Sequence, residues 1–385
     1  MTSPSRKALT VVGCGFVAKY PEGGGNFSVP LQYLLGLRRM RRPALWLEVM
    51  VSTGDPGKDR RLAATFHRRL REFDLHHRYC LIIFPKEPEG QELSGARFFG
   101  MTRRGFQDLV SGPCVLLNLS YSIKRPLLDS FECRKLCSLD PTEVCFWMQR
   151  MEMGQSEHHE FWSIGLNMYG PDSRVPATGV RWNTYFPLVD TTLFQAEPRP
   201  PVDRFTTIGQ WYWDGMIEWD GIWRDFSKKA AFEKFENLPS LQPGARFELA
   251  MNLTPDDPER ARIRKLGWHH VVPHAIARTP RLYYQYLRRS TAEFSAVKLE
   301  SFAMSGWLSD RSAVYLAMGR PVISEPTGAD RYLPGKSGMF FVRSLEEASE
   351  AVACVRGDWK RLSRASRRCA VECFDAVVNL RKMLD

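Results

Sequence analysis

The sequence predicts an α/β protein built from two Rossmann-like domains, each with a doubly wound parallel sheet, and three observations support this. In both halves, short apolar runs alternate with segments of helical spacing, as in parallel sheets covered by helices on both faces. Between about residues 152 and 204 this alternation lapses, and prolines and glycines become frequent. The length of 385 residues suits two domains. A proline-rich linker at residues 198–201 divides a predicted domain of residues 1–200 from one of residues 201–385.

The first half supplies four predicted strands and two predicted helices. The strands are predicted at residues 8–12, 44–51, 79–84 and 114–119. The helices are predicted at residues 29–40 and 59–73, and the second of them is basic and amphipathic. A glycine-rich stretch that contains Gly25 and Asn26 precedes the first helix. We expect this stretch to be a loop, which either approaches a ligand or is a plain flexible connection.

The second half repeats the alternation and ends on long helices. Its strands are predicted at residues 204–210, 246–251, 268–272, 294–298 and 321–324. Its helices are predicted at residues 226–237, 258–266, 280–289, 309–318, 345–355 and 359–384. The pattern therefore predicts a second doubly wound sheet, followed by a long C-terminal helix.

Composition and charge limit the class of protein. The chain is 44% hydrophobic and 25% charged, and no apolar run is long enough to span a bilayer. Its first seven residues lack the apolar core of a signal peptide. Its nine cysteines are odd in number and scattered, which argues against a disulfide framework. These features predict a cytoplasmic protein, and the net charge of +11 favours an anionic partner, either nucleic acid or a nucleotide diphosphate.

The densest chemical pattern begins at Gly306 and opens a predicted helix. Ser309 is a natural N-cap residue, and an acid such as Asp310 suits the first turn. The unpaired N–H groups of a helix N-terminus bind phosphate, and a preceding glycine lets the backbone come close to a ligand. Arg311 would supply a cation for a leaving diphosphate. A capped helix with Arg311 on the surface is the alternative interpretation.

The turn after the predicted strand at residues 321–324 extends this pattern. It contains Glu325, Thr327 and Gly328. Ligands of open α/β sheets bind at the carboxyl ends of strands, so these residues are placed to face a sugar or a nucleotide. Glu325 can accept hydrogen bonds from sugar hydroxyls.

Residues 306–334 resemble a set of bacterial glycosyltransferase-like proteins of the GT-B fold that share a GW-(F/L)-SDRSA-x-YLA-x-GRPV…TG…LP motif. The resemblance also covers residues 25–39, 139–141, 164–165, 175–182, 227–228 and 294–298, and hence most of the chain. It implies two Rossmann-like domains facing across a cleft, with the acceptor held by the first and the nucleotide sugar by the second. In this fold the last helix often crosses back to the first domain.

The implied reaction transfers a hexosyl or pentosyl group from a nucleotide-diphosphate sugar to an acceptor nucleophile. The nucleotide sugar is a co-substrate, and neither a cofactor nor a metal is expected. The predicted donor-binding residues are Gly25, Asn26, Lys298, Gly306, Ser309, Asp310, Arg311, Ser312, Glu325, Thr327 and Gly328. Many retaining members carry a ribose-binding Glu where this chain has Val314. Asp310 and Ser312 are candidates for that contact, and the sequence leaves retaining and inverting stereochemistry both open.

Other residues carry weaker expectations. His159 is the candidate general base, which inverting transfer requires, although a structural histidine is the more frequent case. Lys298 and Lys228 could neutralise phosphate charge, and for Lys228 a surface position is slightly favoured. The histidines at positions 269, 270 and 274 do not have zinc-site spacing on one helix. The aromatic, acidic stretch of residues 211–223 predicts either a sugar- or base-stacking platform or a hairpin packed on the core.

Two other functions remain open from the sequence. The basic charge and the aromatic content are compatible with a nucleic-acid-binding protein or a modified-base glycosyltransferase, although nucleic acid is not the favoured partner. The Val314 departure is compatible with a non-catalytic binding or assembly subunit of the same fold.

Overall fold

The computed structural model describes residues 8–85, 90–212, 216–335 and 337–385, which form two compact units. Unit 1 comprises Met1–Ile164, Pro176–Asp190 and Ala376–Asp385. Unit 2 comprises Gly165–Val175 and Thr191–Asp375. The predicted linker at residues 198–201 therefore lies inside unit 2, and the chain passes between the units more than once.

Unit 1 contains an eight-stranded sheet in the order β4-β3-β2-β1-β5-β6-β7-β8. Its strands are β1 (Leu9–Cys14), β2 (Ala44–Val51), β3 (Tyr79–Phe84), β4 (Arg97–Phe99), β5 (Cys114–Leu119), β6 (Cys133–Ser138), β7 (Glu160–Ser163) and β8 (Trp182–Thr184). All neighbouring strands are parallel except the edge pair β3 and β4. The central strands are apolar on both faces, as expected when helices cover both sides of a parallel sheet.

Four helices of unit 1 each follow a strand. Helix α1 (Gly24–Arg39) follows β1, α2 (Pro56–Arg71) follows β2, α3 (Arg103–Val110) follows β4, and α4 (Pro141–Met148) follows β6. Helix α2 begins earlier than its apolar pattern suggests, because Asp55 accepts a hydrogen bond from the Gly57 amide and Pro56 occupies the first helical position. Helix α1 also begins early, so the predicted glycine-rich loop is partly helical. The 3₁₀ turn Leu127–Ser130 completes these connections.

The sequence pattern missed the strands β4, β6, β7 and β8. Strand β6 carries Arg134 and Lys135, and therefore lacks the apolar run that identifies a buried strand. The tertiary structure satisfies these charges, because Lys135 Nζ lies 2.8 Å from a Glu160 carboxylate oxygen and donates to the Met383 carbonyl at 2.6 Å. Long-range pairing thus stabilises a strand that local pattern does not reveal.

Unit 2 contains a six-stranded, wholly parallel sheet in the order β13-β12-β9-β14-β15-β16. Its strands are β9 (Arg204–Gly209), β12 (Arg246–Met251), β13 (His269–Val271), β14 (Ala292–Ser295), β15 (Val322–Ser324) and β16 (Met339–Phe341). A separate antiparallel hairpin joins β10 (Met216–Trp219) to β11 (Ile222–Asp225). Numbered by position in the unit, the sheet order is 3-2-1-4-5-6, the doubly wound arrangement that the sequence predicts.

The helices of unit 2 cover its sheet. They are α5 (Lys228–Glu233), α6 (Leu238–Leu241), α7 (Pro258–Lys265), α8 (Pro273–Ala277), α9 (Pro280–Arg288), α10 (Leu299–Ala303), α11 (Asp310–Ala317), α12 (Leu345–Gly357) and α13 (Trp359–Cys369). A 3₁₀ turn at Ala329–Tyr332 follows β15. The core between them is aromatic, with Phe235, Phe247 and Trp268 all buried around Phe294.

The predicted helix at residues 359–384 is not continuous. Helix α13 passes into a π-helical segment, Ala370–Phe374, and ends at Asp375, whose φ of −55° and ψ of 129° are not helical. The Thr191 hydroxyl donates to the Asp375 carboxylate, which holds the break in place. The last helix, α14 (Ala376–Leu384), belongs to unit 1. Apolar periodicity does not reveal this break, because both helices bury a face.

Helices α1 and α14 pack closely at Gly36. A Cβ atom added at this glycine would lie 2.6 Å from Leu380 Cδ1 and 2.7 Å from Ala376 Cβ. Such distances require one helix to move, so Gly36 allows the close approach of the two helices.

We predict that Gly36→Ala destabilises the protein by about 1–3 kcal/mol, because the new methyl group overpacks the α1–α14 contact. Gly357→Ala is the matched control, since Gly357 also lies in a helix but has open space around its Cα. This control should instead stabilise by about 0.5–1 kcal/mol. Urea unfolding of both variants measures the difference, and equal midpoints would contradict the packing described here.

Candidate functional site

The carboxyl edge of the unit 2 sheet contains a cluster of cations. The sheet order reverses direction between β9 and β14, and ligands of open α/β sheets bind at this switch point. Lys228 and Arg311 reach the carboxyl ends of these two strands, where they bind the carbonyl oxygens of Ala296 and Ile208. Lys298, which directly precedes α10, contributes a third positive charge.

Lys228 is buried at the start of α5, which corrects the expected surface position. Burial, together with the positive charges of Arg311 and Lys298, lowers its pKa to about 7. Its Nζ donates to the Ala296 carbonyl, and among the described residues it forms no salt bridge with a carboxylate. An ammonium group in this position is costly unless an anion binds beside it.

Arg311 is not the surface cation of the alternative interpretation, because Glu293 holds it in a buried ion pair. Its Nε donates to Glu293 Oε1 at 2.7 Å, and its Nη1 donates to the Ile208 carbonyl at 2.7 Å. Burial lowers the pKa of Arg311, but the charge and hydrogen bond of Glu293, together with the nearby Tyr283 and Tyr315, offset this, and the net shift is upward. Within the described part of the chain, Nη2 has no hydrogen-bond partner and is therefore available to a ligand.

The first turn of α11 is more enclosed than the sequence suggests. Ser309 is the N-cap, as predicted, and its hydroxyl accepts a hydrogen bond from the Arg311 amide at 3.2 Å. The Ser312 hydroxyl donates to Glu293 Oε2 at 2.6 Å, and both serines are buried. Asp310 is half-buried beside them. The two hydroxyls are therefore engaged in internal hydrogen bonds, and phosphate binding by the backbone amides of this turn stays a prediction.

Glu325 lies at the carboxyl end of β15 but does not face solvent. One of its oxygens accepts from the Val297 amide at 2.7 Å, and the other pairs with Lys234 Nζ. Burial raises its pKa, and these partners act in the opposite direction. Both carboxylate oxygens already have a partner, so Glu325 orders the segment next to Lys228, and its predicted contact with a sugar hydroxyl stays a prediction.

Gly306, Thr327 and Gly328 are held by internal packing around Asn167. A Cβ atom on Gly306 would lie 2.1 Å from the Asn167 amide nitrogen, and one on Gly328 would lie 2.7 Å from Asn167 Nδ2. The Thr327 hydroxyl donates to the Trp307 carbonyl at 2.7 Å. These glycines therefore make room for a segment of unit 2, whereas the sequence alone suggested close approach to a ligand.

Gly25 and Asn26 lie in the first turn of α1, within unit 1. The N-cap residue of that helix, Gly23, provides no side-chain hydrogen bond to the first turn. Asn26 is exposed and Gly25 is half-buried. Their predicted part in donor binding stays a prediction.

His159 lies ahead of β7, at the amino edge of the unit 1 sheet. Its Nδ1 accepts a hydrogen bond from the Arg134 amide at 3.1 Å, close to the start of β6. Ligands of parallel sheets bind at the opposite edge, so this position gives the predicted general base no support. The neighbouring His158 is buried, and its two ring nitrogens contact Asn118 and the Gly154 carbonyl, which gives it a structural role.

Other features of the described residues limit the kinds of site that this part of the chain can contain. No group of three or more His, Cys, Asp or Glu side chains in this part of the chain is arranged to hold a metal ion. His270 binds the Met251 carbonyl from β13, so it packs within the sheet. Val314 is buried in α11. Among the described helices, none combines the length and apolarity needed to cross a membrane.

The sequence favoured a surface position for Lys228, which is buried, and gave no role to Glu293, which pairs with Arg311. A carboxylate inside the otherwise apolar strand β14 is the one clue in the sequence, because a buried acid requires a cation or hydrogen-bond donors. The sequence does not show which cation meets it. Lys228 gives no such clue, because a lysine that opens a short helix is usually exposed.

No protein-family model and no curated protein sequence matches the chain. Its fold is similar to solved glycosyltransferase structures. An alpha-glucosyltransferase in complex with UDP and a 13-mer DNA has a TM-score of 0.57 at 10% identity, with 98% of each chain covered. Anabaena HepE with UDP-glucose has a TM-score of 0.57 at 10% identity, with 97% of this chain and 98% of that chain covered. A Rickettsia africae glycosyltransferase has a TM-score of 0.52 at 10% identity, with 98% and 97% covered. At this identity the likeness shows the fold.

We predict that Arg311→Ala destabilises the protein by about 3–5 kcal/mol, because it leaves the Glu293 carboxylate buried without its cation. The double variant Arg311→Met with Glu293→Leu removes both charges and should recover most of this loss. Urea unfolding measures both effects. An unchanged midpoint for Arg311→Ala would show that the pair is not a structural requirement.

Proposed function

We propose that this chain is a glycosyltransferase of GT-B architecture that uses a nucleotide-diphosphate sugar. The observation that carries the proposal is a pair of cations, the buried Lys228 and the half-buried Arg311, at the switch point of the unit 2 sheet. The likeness to glycosyltransferases in complex with UDP or UDP-glucose supports a uridine donor. In this proposal unit 2 holds the donor.

The chemistry requires stabilisation of a leaving group. An acceptor oxygen forms a bond to the anomeric carbon while the bond from that carbon to the diphosphate oxygen breaks, and the diphosphate departs with additional negative charge. Lys228 and the free Nη2 of Arg311 would bind that charge as it develops, with Lys298 beside them. Because Glu293 fixes the Arg311 guanidinium, little reorganisation is needed at the moment of transfer. Fixed cations would then do what a metal does in other transferases.

In this proposal most of the remaining predicted residues position other groups of the site and do not themselves contact the donor. Glu325 positions Val297 and Lys234. Ser309 and Ser312 position Arg311 and Glu293. Gly306, Thr327 and Gly328 shape the turns around Asn167. Asp310 remains a candidate for ribose contact, and Gly25 and Asn26 remain candidates for contact from unit 1.

We predict that Lys228→Gln weakens binding of UDP-glucose by about tenfold to a hundredfold, because a charge-assisted contact to the diphosphate is lost. Glutamine keeps a hydrogen-bond donor for the Ala296 carbonyl, so the variant preserves the local fold. The adjacent Lys229→Gln is the matched control, because Lys229 is only half-buried and pairs with Glu259 at 3.7 Å. Isothermal titration measures affinity, and donor hydrolysis measures turnover.

A wider screen tests the donor class. UDP-, GDP-, ADP- and TDP-glucose are compared by thermal shift, because a ligand that binds the native state raises its unfolding temperature. If none of them raises the melting temperature of the wild-type protein, the proposed function is wrong. Donor binding without hydrolysis or transfer would favour the non-catalytic alternative.

We predict that the affinity for UDP-glucose falls as the pH rises above about 7. In the free protein the Lys228 pKa is about 7, and a bound diphosphate raises it. The favourable interaction is therefore complete below pH 7, and it is lost as the pH rises, by up to about tenfold per pH unit. UDP-glucose has no free terminal phosphate to titrate in this range. Titrations from pH 6 to pH 9 should show proton uptake in the wild type and none in Lys228→Gln, and a flat wild-type profile would remove Lys228 from the site.

A further inference from the structure

The hairpin of β10 and β11 projects from unit 2 with two chemically different faces. Its turn, Asp220-Gly221, has positive φ at both residues, 53° and 74°, as a type I′ hairpin turn requires. The antiparallel register places Trp223 opposite Glu218, and Met216 opposite Asp225. Directly opposed residues share a face, so these four side chains form one surface, which we call the outer face.

The inner face anchors the hairpin. Ile217 and Trp219 are buried, and the Trp219 ring meets Phe302 edge-on with centroids 5.6 Å apart. The Arg224 guanidinium lies over the same Phe302 ring, 4.7 Å from its centroid. Phe302 belongs to α10, the helix that follows Lys298. The packing on α10 therefore gives the outer face a fixed support.

The outer face is exposed and combines an aromatic ring with carboxylates. Trp223 is 61% exposed and Met216 is 55% exposed, although large apolar side chains are usually buried. Glu218 and Asp225 are exposed beside them. Successive pairs on one face are about 7 Å apart, so the indole lies between two acids. One Asp225 oxygen already accepts from the Ser227 amide at 2.7 Å, which fixes that carboxylate.

We propose that the outer face binds a saccharide chain, which is the acceptor class of the transfer; this rests on the function proposed above. The face of an indole ring carries negative charge, and the C–H groups of a pyranose pack against it. The hydroxyl groups at the edge of the sugar donate to the Glu218 and Asp225 carboxylates. Neutral, hydroxyl-rich ligands suit this combination, because both kinds of contact are used at once.

Charge argues against nucleic acid at this surface. The described hairpin exposes three acids, Glu218, Asp220 and Asp225, in a chain whose net charge is +11. Its one cation, Arg224, is on the inner face, against Phe302. A phosphodiester backbone is therefore repelled from the surface. A cationic peptide is the remaining competitor, and the experiment below separates it from a saccharide.

The hairpin is joined in sequence to β9 and packs on α10, two elements that lie next to the proposed donor-binding cations of unit 2. It follows β9, and a Cβ atom on Gly209, the last residue of that strand, would lie 3.4 Å from Lys228 Cε. Its inner face packs on the helix that begins next to Lys298. The hairpin thus packs on a helix that begins at the edge of the sheet where the diphosphate is proposed to bind.

Titration of the full-length protein with cellohexaose, maltohexaose and chitohexaose tests the proposal. We expect at least one hexasaccharide to bind, and Trp223→Ala to weaken that binding about tenfold or more. Glu218→Gln should weaken it by about threefold, since one hydrogen bond to a charged acceptor becomes neutral. Trp147→Ala is the matched control, because Trp147 is also an exposed tryptophan, 38% accessible, but lies in unit 1. This control should bind as the wild type does.

The inference is wrong if the wild type binds none of the three hexasaccharides. It is also wrong if Trp223→Ala binds a hexasaccharide as tightly as the wild type does, or if Trp147→Ala loses as much affinity as Trp223→Ala. Binding of polylysine that Trp223→Ala abolishes, without binding of any hexasaccharide, would assign the surface to a cationic peptide and also overturn it. UDP-glucose affinity is measured in parallel and should be unchanged in Trp223→Ala. If UDP-glucose does not bind while a hexasaccharide does, the donor proposal fails and the saccharide surface stands.

Discussion

The site in unit 2 depends on the burial of Lys228 at the switch point of its sheet. The charges of Arg311 and Lys298 lower the pKa of Lys228, and the two carboxylates whose charges raise it, Glu293 and Glu325, already have partners. Glu293 is committed to Arg311, and Glu325 is committed to Lys234 and the Val297 amide. Burial raises the cost of an uncompensated cation, which is why the Lys228 pKa falls to about 7. An anion that enters this edge relieves the cost, so the same arrangement that strains the free protein favours ligand binding.

The packing around Asn167 explains why glycine occupies positions 306 and 328, which the sequence alone suggested for ligand contact. Its Nδ2 donates to the Met304 carbonyl at 2.8 Å and to Asp172 at 3.0 Å, and its Oδ1 accepts from the Tyr332 hydroxyl at 3.1 Å. Gly306 and Gly328 leave the space that this side chain fills. Asn167 is contributed by residues 165–175, a segment that is distant in sequence from the turns it supports. Gly306 and Gly328 thus preserve the shape of the turns before α11 and after β15.

Much of the fold follows from local pattern, and the parts that do not follow have identifiable causes. Apolar runs located β1, β2, β3 and β5 because these strands are buried on both faces. The N-cap Ser309 and the glycine and proline after α11 located that helix. Strand β6 was not predicted, because its charged residues hide the apolar pattern and find their partners elsewhere in the chain. The break between α13 and α14 at Asp375 was not predicted, because the Thr191 hydroxyl that binds Asp375 is remote in sequence.

The sequence by itself determined the α/β class, the alternation of strands and helices in unit 2 and the helix that begins after Ser309, because periodicity and capping act over a few neighbouring residues. Only the tertiary structure decided which charged groups are buried and which meet. Lys228 and Lys229 are adjacent and chemically identical, yet the first is buried beside Arg311 and the second pairs with Glu259. Trp219 and Trp223 lie in one hairpin, yet the first anchors it and the second faces solvent. Burial depends on partners brought together over long distances in sequence, and the free energy of a charge or a ring depends on that burial.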